Sequence, residues 1–204
     1  MSTYADLIND IRMEVVDEAK SRWSDAQMLR VLGWAIRRIS GVLQDYDIEG
    51  GRYVTTVTTI PGQQSYTLPR DFNAPYGLYR DSTNMRMQQA SEDVWARMVN
   101  PLECSAWLKR GSSLLIASAP TTIETLTLVY WPTVNTQDMA LDDLAPWEEK
   151  FDDAIVQYAA LRLKNIDEMN VGPDVQIYKD VERQLISTHG QNNPMIVARQ
   201  GWCP

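Results

Sequence analysis

Residues 55–72, TTVTTIPGQQSYTLPRDF, constrain the fold more than any other stretch, because a helical pattern stops just before them and a β pattern starts within them. Val54, Thr56, Thr58 and Ile60 interleave with Thr55, Val57 and Thr59. Side chains that are stiff about χ1 in this way suit a pleated strand better than a helix. Pro61-Gly62 fits the two central positions of a type II turn, where proline presets φ and glycine takes φ > 0 without strain. Residues 65–68 then read as a returning strand, with Tyr66 and Leu68 on one face and Ser65 and Thr67 on the other, until Pro69 removes a ladder donor. Phe72 is placed to tuck beneath. The expectation is a β-hairpin that closes a small sheet.

Before this stretch the chain reads as two helices. Tyr4, Leu7, Ile8, Ile11, Val15 and Val16 recur at helical spacing, with Thr3 positioned to cap them. Ser24 followed by Gln27 is a capping box, and Trp23 with Met28 forms a hydrophobic staple around it. Met28, Val31, Leu32, Ala35, Ile36, Ile39, Val42 and Leu43 continue one apolar face, Arg37 and Arg38 lie largely off it, and Gly50-Gly51 closes the section.

After the hairpin, residues 76–80 and 85–89 read as short strands around a turn at Asp81, Ser82, Thr83 and Asn84. Ser91 caps a short helix through Val94, Trp95, Met98 and Val99 that Asn100-Pro101 stops. Residues 105–110, 114–119 and 123–131 complete a meander, with no βαβ crossover. From Asp142 the helical period returns. Pro146 fits the first helical position with Glu148 and Glu149 at the positive end of the dipole. Phe151, Ile155, Tyr158, Ala159, Arg162 and Ile166 trace its stripe, Pro173 restarts a last helix bearing Tyr178, Val181 and Leu185, and Gly190 ends it. The expected fold class is α+β. Residues 1–50 and 140–190 form a four-helix bundle, residues 51–139 form a small antiparallel β-sheet or sandwich inserted between helices 2 and 3, and residues 191–204 form an extended C-terminal tail.

Catalytic chemistry finds little support. His189 is the only histidine, and its place in the last turn of a helix suits the negative end of the dipole. The acidic pairs Asp142/Asp143, Glu148/Glu149 and Asp152/Asp153 stand at adjacent positions, which point apart on a helix. Gly50-Gly51 and Gly111 lack the spacing of phosphate-binding loops. Cys104 and Cys203 lie far apart, which argues against a disulfide framework or metal cluster and for a reducing setting. No catalytic, cofactor or metal residue is expected. No apolar run approaches the roughly 20 residues that span a bilayer, so no membrane partner is expected either. The net charge of −8 disfavours direct contact with nucleic acid. Seven tryptophans and nine tyrosines against two phenylalanines lean toward interfaces, where an aromatic body with a polar tip is useful. Trp34, beside the second helix's stripe, and Trp202 are the better interface candidates.

A strand, a Pro61-Gly62 turn and then Tyr66, Leu68-Pro69 and Asp71-Phe72 follow an amphipathic helix carrying Leu32, Ala35, Ile36, Arg37, Arg38 and Ile39. Ala145-Pro146-Trp147-Glu148-Glu149, residues 154–162 and Asp167-Glu168 come later in the same order. From about Tyr4 to Ile186 this pattern resembles the head-to-tail adaptor, or connector, proteins of tailed bacteriophages. The resemblance implies a structural protein of the virion, made in the host cytoplasm. It implies a dodecameric ring between the portal protein and a downstream tail or nozzle protein, with the genome passing through its lumen without specific binding. A negative lumen would let DNA slide. It also implies that a C-terminal extension helps hold the ring on the portal. Met195, Ile196, Val197 and Trp202 are then the docking residues, against the plain alternative of a terminus lying on its own domain. Trp34, Arg37 and Arg38 are candidate inter-subunit contacts. The competing reading is a small binding module or hydrolase in the β section, with Asp71, Asp81 and Glu92 as the carboxylates to inspect.

Overall fold

The computed structural model describes residues 1–97, 106–136, 139–167 and 171–190. In chain order the elements are α1 (Tyr4–Glu14), α2 (Asp25–Asp45), β1 (Tyr53–Thr58), β2 (Ser65–Thr67), β3 (Phe72–Arg80), β4 (Met85–Gln89), α3 (Glu92–Arg97), β5 (Ala106–Arg110), β6 (Ser113–Ile116), β7 (Thr125–Pro132), α4 (Asp152–Ile166) and α5 (Gly172–His189). Short 3₁₀ turns lie at Glu49–Gly51 and Glu149–Phe151. Two compact units result, Met1–Gly51 with the chain from Val134 onward, and Arg52–Thr133.

In the helical unit the N-terminal signals act as local chemistry requires. Thr3 and Asp6 cap α1 reciprocally, and Ser24 and Gln27 do the same for α2. Two backbone donors that would otherwise have no partner are thereby satisfied at each start. α2 buries Met28, Val31, Leu32, Ala35, Ile36, Ile39, Val42 and Leu43. α4 buries Ala154, Ile155, Val156, Ala159, Ala160 and Leu163 and is the element that α1, α2 and α5 share. Fully burying a leucine or isoleucine contributes about 1.5–3 kcal/mol, so these stripes set the packing. Gly50 is required by close approach, since a Cβ there would stand 2.8 Å from the buried Phe151 ring.

The β unit is one seven-stranded sheet in the order β1-β7-β3-β4-β5-β6-β2. Its edges, β1 and β2, are consecutive in sequence, and the sheet curls into a nearly closed, barrel-like form. Tyr66, Leu68, Leu78, Met87, Trp107, Leu114, Ile116, Leu126, Leu128 and Tyr130 fill the interior.

This architecture overturns the expected four-helix bundle with a small antiparallel sheet between helices 2 and 3. Among the described residues there are five α-helices, and α5 buries only Tyr178 and Leu185, too narrow a stripe to be an equal member of a bundle. The hairpin is absent as well. Gly62 has φ +80°, as the type II turn requires, but β1 pairs with β7 and β2 with β6. The turn is local chemistry, whereas the partner of a strand is set by which distant strand covers its buried face. β4 and β5 are parallel, joined through α3, so a crossover exists where none was expected. β3 is longer than expected and runs through Pro75, which two register shifts accommodate. Pro146 does not begin α4. Ala145 and Trp147 are buried ahead of the 3₁₀ turn, and Asp152 and Asp153 occupy the first turn instead. The expected helix stop at Asn100-Pro101, Cys104, Glu168, Asn170 and the tail from 191 lie outside the described residues.

Candidate functional site

At one end of the β unit Asp71 precedes β3, and its carboxylate accepts the Tyr130 hydroxyl at 3.0 and 3.1 Å. Burial, followed by this bond and the carboxylate's charge, pushes the Tyr130 hydroxyl up to about 12. Tyr53 meets the Tyr130 ring edge-on at 6.2 Å, and Phe72 stacks on it at 5.4 Å. The Thr133 N–H donates to the Asp71 carbonyl, so side chain and backbone of one residue tie the end of β7 to the start of β3. Asp81, beyond the far end of β3, accepts from the Thr127 hydroxyl at 2.6 Å. Tyr130 and Thr127 stand three residues apart on β7, and strand alternation puts Tyr130 on the core face and Thr127 on the outer one, so the Asp71 and Asp81 carboxylates are held on opposite faces of the sheet. Glu92 on α3 is held bidentately by Arg110 at 3.0 and 2.6 Å, and that hydrogen bonding keeps its carboxylate below the ordinary value. The three carboxylates that a hydrolase would need are each fixed by a different partner and do not converge.

In the helical unit a groove of about 330 Å³ runs between Glu149, Lys150 and Asp153 on one side and Gln184, Thr188 and His189 on the other. The His189 ring stands edge-on to Phe151 at 6.0 Å. It sits in the last turn of α5, the place sequence reasoning gave it.

The expected contact residues on α2 each have a partner within the helical unit. The Arg162 guanidinium lies 5.4 Å from the centre of the half-buried Trp34 ring. Arg37 donates to the Thr136 hydroxyl at 2.7 Å. Arg38 donates to Glu182 at 2.8 Å and to the Tyr178 hydroxyl at 3.4 Å. Burial pushes the Tyr178 hydroxyl up to about 12, with Arg38 pulling the other way. Met195, Ile196, Val197 and Trp202 lie outside the described residues.

Sequence reasoning missed the most buried polar cluster. Arg12 is 2% exposed and donates to Asp17 at 2.7 Å, to Asp25 at 2.8 Å and to the Trp23 carbonyl at 3.0 Å. Asp17 also accepts the N–H groups of Ser21, Arg22 and Trp23. Burial pushes its carboxylate up, but these donors and the Arg12 charge outweigh that and hold it below its ordinary value. The available signal was Arg12 itself, an arginine on the apolar stripe of α1.

Among the described residues, these polar groups tie one element to the next: Arg12 to Asp17 and Asp25, Tyr130 to Asp71, Arg110 to Glu92 and Arg38 to Glu182. The family model described as SU10 adaptor protein matches residues 2–195, and the chain belongs to that family. The match bears out the resemblance to phage head-to-tail adaptors. Membership implies a virion component that interacts with phage portal and tail proteins, and it points to a structural role rather than a catalytic one. No curated protein matches the chain significantly. No helix among the described residues is long and apolar enough to cross a membrane.

Proposed function

We propose that the chain forms a dodecameric ring between the portal and the next tail or nozzle protein and that the genome passes through the ring's lumen. The family match over residues 2–195 carries this reading. Two physical features support it. The net charge of −8 suits a conduit that DNA slides through, since a negative wall attracts no phosphate. The carboxylates proposed for hydrolysis are tied up separately, which removes the main support for an enzyme in the β unit. In this reading Trp34, Arg37 and Arg38 contribute to contacts between copies. Electron microscopy of the full chain mixed with the portal protein of the same phage tests it. A closed ring on the portal is the expected result, and a 1:1 complex or none at micromolar concentration rejects it.

The segment 191–204 completes the proposal. Met195, Ile196 and Val197 dock on the portal as an extended segment and Trp202 anchors it, the usual division between strand addition and an aromatic hot spot. Trp202→Ala should cost about 2 kcal/mol of portal affinity while leaving the melting temperature unchanged. Equal affinity of the variant and the parent, measured by calorimetry, would remove the anchor from the scheme.

A further inference from the structure

The chain carries 27 acidic and 19 basic residues, so a surface where arginines gather without carboxylates stands out in it. α2 and α4 build one. Arg30, Trp34 and Arg37 stand at i, i+4 and i+7 on α2, which puts them on one face of the helix. The Arg162 guanidinium of α4 lies over the Trp34 ring, 5.4 Å from its centre. All three arginines are exposed. Arg37 donates to the neutral Thr136 hydroxyl, and none of the three forms an ion pair among the described residues. Arg38, at the edge of this face, is already paired with Glu182. A guanidinium over an aromatic ring is held in place while its in-plane donors stay open to a carboxylate.

The same unit carries a surface of the opposite sign. Between α1 and α4 a groove of about 300 Å³ is lined by Asp10, Met13, Glu14, Asp152, Asp153 and Val156, and no basic side chain lines it. Met13 is 57% exposed, so the groove offers apolar contact between its acids. Asp10, Glu14 and Asp153 form no ion pair among the described residues, and Asp152 accepts the Ser2 hydroxyl on one oxygen while the other, Oδ1, is buried without a donor. The Met1 ammonium is near but is paired with Glu149. Burial raises the Asp152 carboxyl above its ordinary value, the Ser2 bond and the Met1 ammonium oppose this, and the Glu149 and Asp10 charges add to it. A guanidinium entering the groove would meet an oxygen that lacks a donor and offset this crowding of like charge. At about 3.6 residues per turn, the nine positions from Asp153 to Arg162 make two and a half turns, so groove and arginine face project from opposite sides of α4.

We propose that the arginine face around Trp34 in one copy docks on the acidic groove between α1 and α4 of the next, an inference that rests on the ring reading. A head-to-tail contact needs two unlike, complementary surfaces on different sides of one molecule, and these two have opposite charge and opposite placement on α4. Each copy carries −8, so copies placed side by side repel except where such a match turns the local interaction attractive. Trp34 and Met13 supply the apolar contact inside the charged rim, the arrangement in which an aromatic anchor is most effective. Nucleic acid also suits a face of arginines, but it would leave the acidic groove without an occupant.

The test uses the full chain in two charge-reversed forms, Arg30→Glu with Arg37→Glu on the face and Asp10→Lys with Glu14→Lys in the groove. All four side chains are exposed and none is in an ion pair, so both forms should melt as the parent does. Arg30→Glu and Asp10→Lys alone take their place if a double form melts lower. Mass photometry of each form titrated onto the portal of the same phage reads how many copies bind and at what concentration. Each form alone sets like charges against each other and should need at least about tenfold more protein than the parent to fill the portal. An equal mixture of the two should fill it as the parent does, because every contact then joins opposite charges, arginine with carboxylate in one and glutamate with lysine in the next. Either form filling the portal alone as the parent does would overturn the assignment and leave the ring reading standing. A mixture that fails, although both forms melt as the parent does, would overturn it too, since the two surfaces would then not meet. Duplex DNA retarded by the parent but not by the face variant, with portal filling unchanged, would hand the arginine face to nucleic acid. A parent that never binds in more than one copy would remove the ring reading and, with it, this contact.

Discussion

Arg12 occupies a position on α1 where the helical period calls for an apolar residue, and the helix keeps it there because its guanidinium reaches acceptors on Asp17, Trp23 and Asp25 across the turn to α2. Removing one partner of a buried ion pair leaves the other desolvated and uncompensated, so Arg12→Leu should destabilise the chain by about 3 kcal/mol in urea unfolding. A loss under 1 kcal/mol, less than an ordinary hydrogen bond is worth, would mean that the backbone donors alone hold Asp17. The same cluster has a pH signature. A carboxylate held below its unfolded value stabilises the fold above that value, 3.8 for aspartate, and loses the contribution as pH falls through the lower folded value. Asp17→Asn should therefore be less stable than the parent at pH 7, and its stability should fall less steeply between about pH 5 and pH 2. Asp152, raised chiefly by burial, acts in the opposite sense in both proteins and leaves the difference intact. Unfolding curves with equal slopes in acid would contradict the role given to Asp17. Thr3, Ser24 and Gln27 were legible in the sequence because a cap is made within three residues. The Arg12 cluster was not, because only the folded turn between α1 and α2 brings its members together.

Between β1 and β2 the chain makes the turn its sequence specifies and then refuses the pairing that such a turn usually serves. Gly62 takes φ +80°, yet the strands on either side end at opposite edges of the sheet, and the Tyr66 hydroxyl fixes the connection by donating to the Gln63 carbonyl and accepting the Ile60 N–H. What this glycine contributes is therefore the closure of the barrel-like sheet. A Cβ at Gly62 would meet nothing within 4 Å, so Gly62→Val probes backbone conformation alone. The left-handed region costs a side-chain-bearing residue about 1–2 kcal/mol, and that is the expected loss of stability in urea unfolding. A neutral substitution would show that the loop relaxes without cost and that the closure does not depend on it. The period-two alternation of residues 125–130 was legible for the same reason as the caps, since it needs no partner to be seen. The order of strands, the parallel β4 and β5 and the continuation of β3 through Pro75 were not, because each depends on which non-local strand supplies the packing.

At the scale of the whole molecule the chain leaves the helical unit near Gly51, builds the β unit from Arg52–Thr133, and returns at Val134. The ends of both helical segments are tied to each other without help from the β residues. The Met1 ammonium pairs with Glu149 at 2.7 Å, the Ala145 N–H donates to the Ser2 carbonyl, and the Tyr4 N–H donates to the Asp143 carbonyl. α4, from the second segment, buries its apolar face against α1 and α2 from the first. A unit with its own apolar core, whose two chain segments are hydrogen-bonded to each other, should fold alone. Replacing residues 52–133 with a short flexible linker should give a helical protein that unfolds in one cooperative step. Its urea m-value should fall roughly in proportion to the residues removed, because m follows the surface exposed on unfolding. Far-UV circular dichroism would show helix in either outcome, so the deciding measurement is the sharpness of the transition together with the near-UV signal of the remaining aromatic residues, among them Trp147, which is buried against Phe151. A broad, non-cooperative melt with that near-UV signal lost would mean that the β unit is needed to fix the helical packing. In that case the helical stripes, legible as they were in the sequence, would be insufficient to specify the unit they form.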